Sequence, residues 1–172
     1  ESNDIFSIHD INRALYHTGR LGDDMFGYPQ KLQALILTVP EASKPSGRVF
    51  LKRSRLLLQL GHIGIAERDA FECLELAGNS PAILEHLATI KVVKGQTEAA
   101  KVFLRALSRD LIFGNRGRQM LKRIEQDPDL ANDKSIQQIR SVIPDKDSVS
   151  FDYGAGEFFQ QLLDKNPYNR LA

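Results

Sequence analysis

Leu56-Leu57-Leu58-Gln59-Leu60-Gly61 returns 34 residues later as Ile90-Lys91-Val92-Val93-Lys94-Gly95. The match extends over two units lying between Ser46 and Leu111. At the same shift Phe50 falls on Leu84, Ser54 on Ala88, Ala66 on Ala100 and Ala70 on Leu104. A period of 34 residues with a pair of helices in each unit is the pattern of a tetratricopeptide-like array.

Each unit reads as a helical hairpin. The first helix runs from about Arg48 to Leu60 and is ended by Gly61, since glycine takes up a left-handed cap at little cost. Ala66, Ala70, Phe71 and Leu74 then fit the apolar stripe of a second helix. The next unit repeats the scheme with Ile83 to Lys94, Gly95, and Glu98 to Leu107. There Ala100, Phe103, Leu104 and Leu107 are expected to face inward. Ser80-Pro81 should open this unit, with a capping hydroxyl followed by proline at the first helical position. A lone hairpin leaves an apolar face bare, so neighbours must stack on it.

Working outward, Ser7 or Asp10 is expected to cap a helix through Leu15 and Tyr16 to Thr18, stopped by Gly19. Leu21 to Phe26 reads as its partner or as a short turn. Pro29 to Leu37, with Leu32, Leu35 and Ile36, reads as a further helix, and Val39 to Ser46 as a loop. Beyond Leu111 the period blurs. Phe113 to Ile124 is a helix with Met120, Leu121 and Ile124 on one face. Pro128 breaks an acidic turn, and Asn132 or Asp133 caps a helix carrying Ile136, Ile139 and Ile143. A polar loop and a final helix over about 154–165, with Phe158, Phe159, Leu162 and Leu163, complete the chain. No strand is expected. The class is all-α, a tetratricopeptide-like superhelix of about eight antiparallel helices in one domain, 1–172, with units at about 7–40, 46–77, 80–111 and 113–144.

The spacing of Phe50 and Leu84, Ser54 and Ala88, Gly61 and Gly95, and Ala66 and Ala100 resembles the tetratricopeptide repeat. It departs from that pattern in having no tryptophan, and in placing Cys73 in one unit but Leu107 in the other at a position that is usually small. Three phrases also resemble an uncharacterised family of bacterial membrane-anchored proteins with a tetratricopeptide-like soluble part. They are Gly19-Arg20-Leu21-Gly22-Asp23-Asp24-Met25-Phe26 with Tyr28-Pro29-Gln30, then Leu104 to Ile112, then Asn166-Pro167-Tyr168-Asn169-Arg170-Leu171-Ala172. The resemblance implies a soluble region with its anchor elsewhere in a longer protein, and it carries no activity.

Composition is that of an ordinary globular chain: 172 residues, 42% apolar, 26% charged, net charge +1. Nothing in that total points to nucleic acid or to an anionic membrane. The single cysteine, Cys73, rules out an internal disulfide and a thiolate metal cluster, and reads as a small core hydrophobe. No apolar run is long enough to span a bilayer. The chain opens on Glu1 rather than methionine, and Asn166-Pro167 reads as the start of a helix cut short. Both lead to the expectation of a fragment.

Catalysis needs convergent polar groups, and the pattern offers few. His9, His17, His62 and His86 are scattered, with no pair at metal-binding spacing. His62 is expected in an exposed turn. Gly114-Asn115-Arg116-Gly117-Arg118 is glycine-rich but follows no strand and lacks the Gly-Lys-Ser/Thr of a phosphate loop, so it reads as a helix start. Gly154-Ala155-Gly156 reads as a loose lead into the last helix. Asp23-Asp24 and Asp127-Asp129 fall in turns, where carboxylates cap backbone. No catalytic residue, metal ligand or cofactor is expected.

Two basic stretches remain. Lys44 to Arg55 holds five positive residues and no acid, and Lys101 to Arg123 holds seven with one acid. They read as solvated faces, or as a patch that steers an acidic partner. The function expected is non-catalytic binding of a peptide or partner protein on a concave surface lined by the first helices. Arg48, Arg55 and Gln59 would line it from one unit, and Glu85, Thr89 and Val93 from the next. A structural spacer is the alternative, and part of a larger enzyme a third. Neither nucleic acid nor direct membrane contact is expected.

Overall fold

The computed structural model describes residues 4–31, 34, 37 and 46–143, which fall in two compact units. Among the described residues all regular structure is helical, with eight α-helices, one 3₁₀ turn and no strand. Of the helix expected at Pro29 to Leu37, Pro29, Gln30 and Lys31 are described and are not helical, so no helix begins at Pro29. Apart from Ala34 and Leu37, the remainder and the helix expected at 154–165 lie outside the described residues. So do Leu32, Leu35, Ile36, Gly154-Ala155-Gly156 and Asn166 to Ala172.

The first unit holds α1 (Ile5–His17), α2 (Leu21–Asp24) and the 3₁₀ turn Met25–Gly27. Neither Ser7 nor Asp10 begins α1; Asp4 occupies the N-cap, and its side chain makes no capping bond. The end of α1 is as expected. The amides of Gly19 and Arg20 return to the carbonyls of Tyr16 (3.0 Å) and Leu15 (2.8 Å), closing a Schellman motif. Gln30 ties this unit together, donating to Met25 O (2.6 Å) and accepting from Asn12 Nδ2 (2.9 Å).

The second unit is built on α3 (Gly47–Gln59), α4 (Ile63–Ala77), α5 (Pro81–Val93), α6 (Thr97–Ser108), α7 (Gly114–Gln126) and α8 (Lys134–Ser141). Helices α3 and α4 pack as one hairpin and α5 and α6 as another, with α4 against α5 and α7 against α6. The two hairpin turns match in detail. Gly61 has φ +85° and Gly95 φ +71°. Gly61 and His62 donate to Leu58 O and Leu57 O, and Gly95 and Gln96 donate to Val92 O and Lys91 O. Both are Schellman caps, which satisfy the last carbonyls of α3 and α5.

The core has the expected small residues and a shifted stripe. Ala66, Ala70 and Ala100 are fully enclosed, which lets paired helices approach closely. On α4, however, the inward face runs through Ile63, Ala66, Asp69, Ala70 and Cys73, while Phe71 is 40% exposed. The Phe71 ring instead meets that of Phe103 at 6.3 Å, with Lys91 Nζ 5.7 Å above it. Phe103 is correspondingly half-buried rather than inward, whereas Leu104 and Leu107 are buried as expected. Pro81 opens α5, but Ser80 makes no capping bond. Asp133 caps α8, accepting from Ser135 N (2.9 Å) and Ile136 N (3.1 Å).

Gly114 and Gly117 explain the glycine-rich start of α7. A Cβ on Gly117 would sit 2.8 Å from Leu104 O and from Ser108 N, and one on Gly114 2.6 Å from Ser108 O. The two glycines bring α7 against the backbone of α6. Helix α8 does not complete a third hairpin of the same kind. It lies against α5, and its Arg140 donates to Val92 O (2.7 Å), Val93 O (3.2 Å) and Asp129 O (2.7 Å). The guanidinium thereby covers carbonyls at the C-terminal end of α5. The residues after α8 reach the Gly61 turn, where a Cβ would collide with the Val142 carbonyl; no atom lies within 4 Å of the same position on Gly95.

That difference makes a prediction. Gly95→Ala should cost about 1 kcal/mol, from the left-handed backbone alone. Gly61→Ala should cost at least about twice as much, because the backbone of residues 142–143 must also move. Urea denaturation of both variants gives the ratio directly, and equal losses would contradict the packing at Gly61.

Candidate functional site

The six positions expected to line a binding surface separate by burial. Arg48, Arg55 and Gln59 recur at one face of α3 and all three are exposed. Glu85 is exposed on α5, and Thr89 is half-buried, its hydroxyl donating to Glu85 O (2.9 Å). Val93 is only 4% exposed and belongs to the core, so it does not line an open surface. Glu85 has a loose ion pair with Arg116 of α7 at 3.5 Å, with both side chains about half in water. Helices α3 and α5 touch.

Beneath this face lies a polar interior that the sequence reading missed. Arg53, counted there among solvated cations, is mostly buried and grips Asp69 of α4 through two bonds, Nε–Oδ2 at 2.5 Å and Nη2–Oδ1 at 2.8 Å. Asp69 is 0% exposed. The guanidinium also sits 5.2 Å from the Phe50 ring centroid. The repeat shift contained a signal: Arg53 and Asp69 stand where the next unit has Leu87 and Phe103. Two opposite charges replacing two apolar residues at paired positions mark a buried ion pair.

His62 and His86 are also inside. His62 is buried, not exposed in its turn. His86 is 7% exposed, and its Nε2 lies 2.8 Å from Ser54 Oγ, which in turn donates to Ala66 O at 2.5 Å. The one hydroxyl proton of Ser54 is thus committed to a carbonyl, so His86 Nε2 carries the hydrogen and donates. A nucleophilic serine needs the reverse arrangement, with the imidazole accepting its proton. Burial, assisted by the Arg55 charge, lowers the His86 pKa from 6.5 to about 4. Burial likewise pushes the Cys73 thiol up, as suits a core residue.

Glu67 links the hairpins. Its two oxygens meet Lys91 Nζ and Lys94 Nζ, each at 2.5 Å. Burial works against its charge, but the two ammonium groups prevail and hold the carboxyl below its ordinary value. One member of each acid pair is bonded: Asp24 pairs with Arg20 at 2.6 Å, and Asp127 accepts from Asn132 N at 3.3 Å. Among the described residues no group of three or more His, Cys, Asp or Glu is placed to hold a metal ion. No helix among them is long and apolar enough to cross a membrane.

A family model covers this arrangement almost end to end, matching residues 3–172. The chain belongs to a family of unknown function, DUF6057. No curated protein and no solved structure matches it. Membership therefore brings no ligand or reaction with it, and the geometry must carry the functional reading.

Two predictions follow from the interior. Because His86 is harder to protonate folded than unfolded, its contribution is complete above pH 6.5 and is lost as pH falls to about 4. The loss should reach about 3 kcal/mol, followed by a further loss below the ordinary Glu67 value of 4.5 as the Lys91 and Lys94 pairs are discharged. His86→Gln should flatten the first phase, which denaturation at stepped pH will show. Asp69→Ala should cost about 3 kcal/mol or more by stranding the Arg53 guanidinium, while a loss under about 1 kcal/mol would mean the pair is not closed.

Proposed function

We propose that the second unit is a non-catalytic binding scaffold that takes an acidic peptide or partner protein on the α3–α5 side. The observation that carries this is the separation of polar groups. Arg53, Asp69, Ser54 and His86 are consumed in packing, while Arg48, Arg55 and Gln59 stand exposed along one helical face. If the two hairpins continue the 34-residue scheme as a tetratricopeptide-like superhelix, this face is the concave one. Carboxylates of a bound segment would pair with Arg48 and Arg55, Glu85 and Thr89 would set its register, and Val93 would support the floor from below.

The Arg side chains suit this role because a guanidinium offers two parallel donors to one carboxylate. Partners identified by cross-linking in the native cell provide the test. Arg55→Glu should weaken their binding about tenfold or more and leave the far-UV circular dichroism spectrum unchanged. Undiminished capture by that variant would refute this surface.

A further inference from the structure

We propose that the turn between α6 and α7 docks on an anionic lipid bilayer, inserting Leu111 and Ile112 between headgroups. Leu111 is 101% exposed and Ile112 81% exposed, with Phe113 beside them also exposed. Three large apolar side chains in succession at a tight turn are costly to leave in water. They are held in place by the fold. Asp110 Oδ1 accepts from Ile112 N (2.9 Å) and Phe113 N (2.7 Å), and Asp110 O accepts from Gly114 N (3.0 Å). The amides of Ile112, Phe113 and Gly114 are therefore already satisfied, which removes much of the cost of taking them out of water. The glycines of α7 hold the two helices backbone to backbone behind the tip, so it is presented as a narrow wedge.

Charge identifies the surface it fits. Arg105 and Arg109 precede the tip, and Arg116 and Arg118 follow it, all exposed. Arg116 lies 5.4 Å from the Phe113 ring centroid, and Arg118 is bonded to Ser108 O at 2.9 Å, so both stay close to the turn. Of the acids nearby, Asp110 is spent on the turn's amides, and Glu85 pairs only loosely with Arg116, at 3.5 Å. A small apolar wedge ringed by arginines has too little area for a stable protein interface. It is enough for a lipid surface, where shallow insertion and attraction to anionic headgroups add. The net charge of +1 hides this local excess. The inference goes beyond the peptide-binding reading and uses none of its residues.

The test is co-sedimentation of the 172-residue chain with vesicles. The chain should sediment with phosphatidylcholine vesicles containing about 30 mol% phosphatidylglycerol, and not with phosphatidylcholine alone. Leu111→Ser with Ile112→Ser should lower binding about tenfold or more, as should Arg105→Glu with Arg109→Glu. These side chains are exposed, and circular dichroism would confirm that the variants fold. Arg55→Glu should bind vesicles as the parent does, which separates this proposal from the groove. Absence of sedimentation with anionic vesicles would overturn it. So would full binding by the double serine variant, since charge elsewhere would then suffice.

Discussion

Each of the two hairpins of the second unit reverses direction at one left-handed glycine, and the rest of that unit depends on those reversals. The turn at Gly61 and the turn at Gly95 close the same two hydrogen bonds. Equal turns bring the second helix of each hairpin back onto the first at equal offset, so Ala66 and Ala100 meet their partners with no side chain in the way. Gly61 carries a second demand. Its missing side chain is the space into which the Val142 backbone fits, so one residue sets both the hairpin and the position of the chain after α8.

The interior then divides into two chemistries. Most of it is apolar, with Ile83, Leu87 and Ile90 enclosed. The rest is polar: Arg53 of α3 is locked on Asp69 of α4, and Ser54 of α3 is joined to the buried His86 of α5. Replacing an apolar pair by a buried ion pair is not a route to greater stability. It does restrict which helices can be neighbours, since an Asp69 facing any other helix would lack its guanidinium. Arg140 acts in a similar way at the far end, where its guanidinium donates to the α5 carbonyls of Val92 and Val93.

Much of the second unit was legible in the residue pattern because helix, glycine and alanine positions obey local rules. The helix boundaries of α3 to α6 follow from a 3.6-residue period and from glycine's access to positive φ. The same rules placed Cys73 in the core and narrowed the cap of α8 to Asn132 or Asp133, of which the structure uses Asp133. They failed where a residue's role depends on something distant. Phe71 fits the apolar stripe of α4 by spacing, yet lies toward Phe103 and the Lys91 ammonium because the stripe turned by one position. His62 looked like a turn residue and is buried, and Val93 looked like a groove residue and is core. Gly114 and Gly117 read as a helix start, which they are, but only the α6 backbone against them shows why both must be glycine.

What the sequence determined by itself is the pair of helical hairpins from α3 to α6 and where they turn, since each depends on residues within a few positions of one another. Tertiary structure alone decided which charges are buried in pairs and which remain in water. It also decided which glycines make room for another segment and which apolar residues stay outside. Those outcomes depend on atoms from segments far apart in the chain, as Arg53 with Asp69 and Arg140 with Val92 show. Burial and pairing energies arise only when such groups meet, so no local pattern encodes them in full.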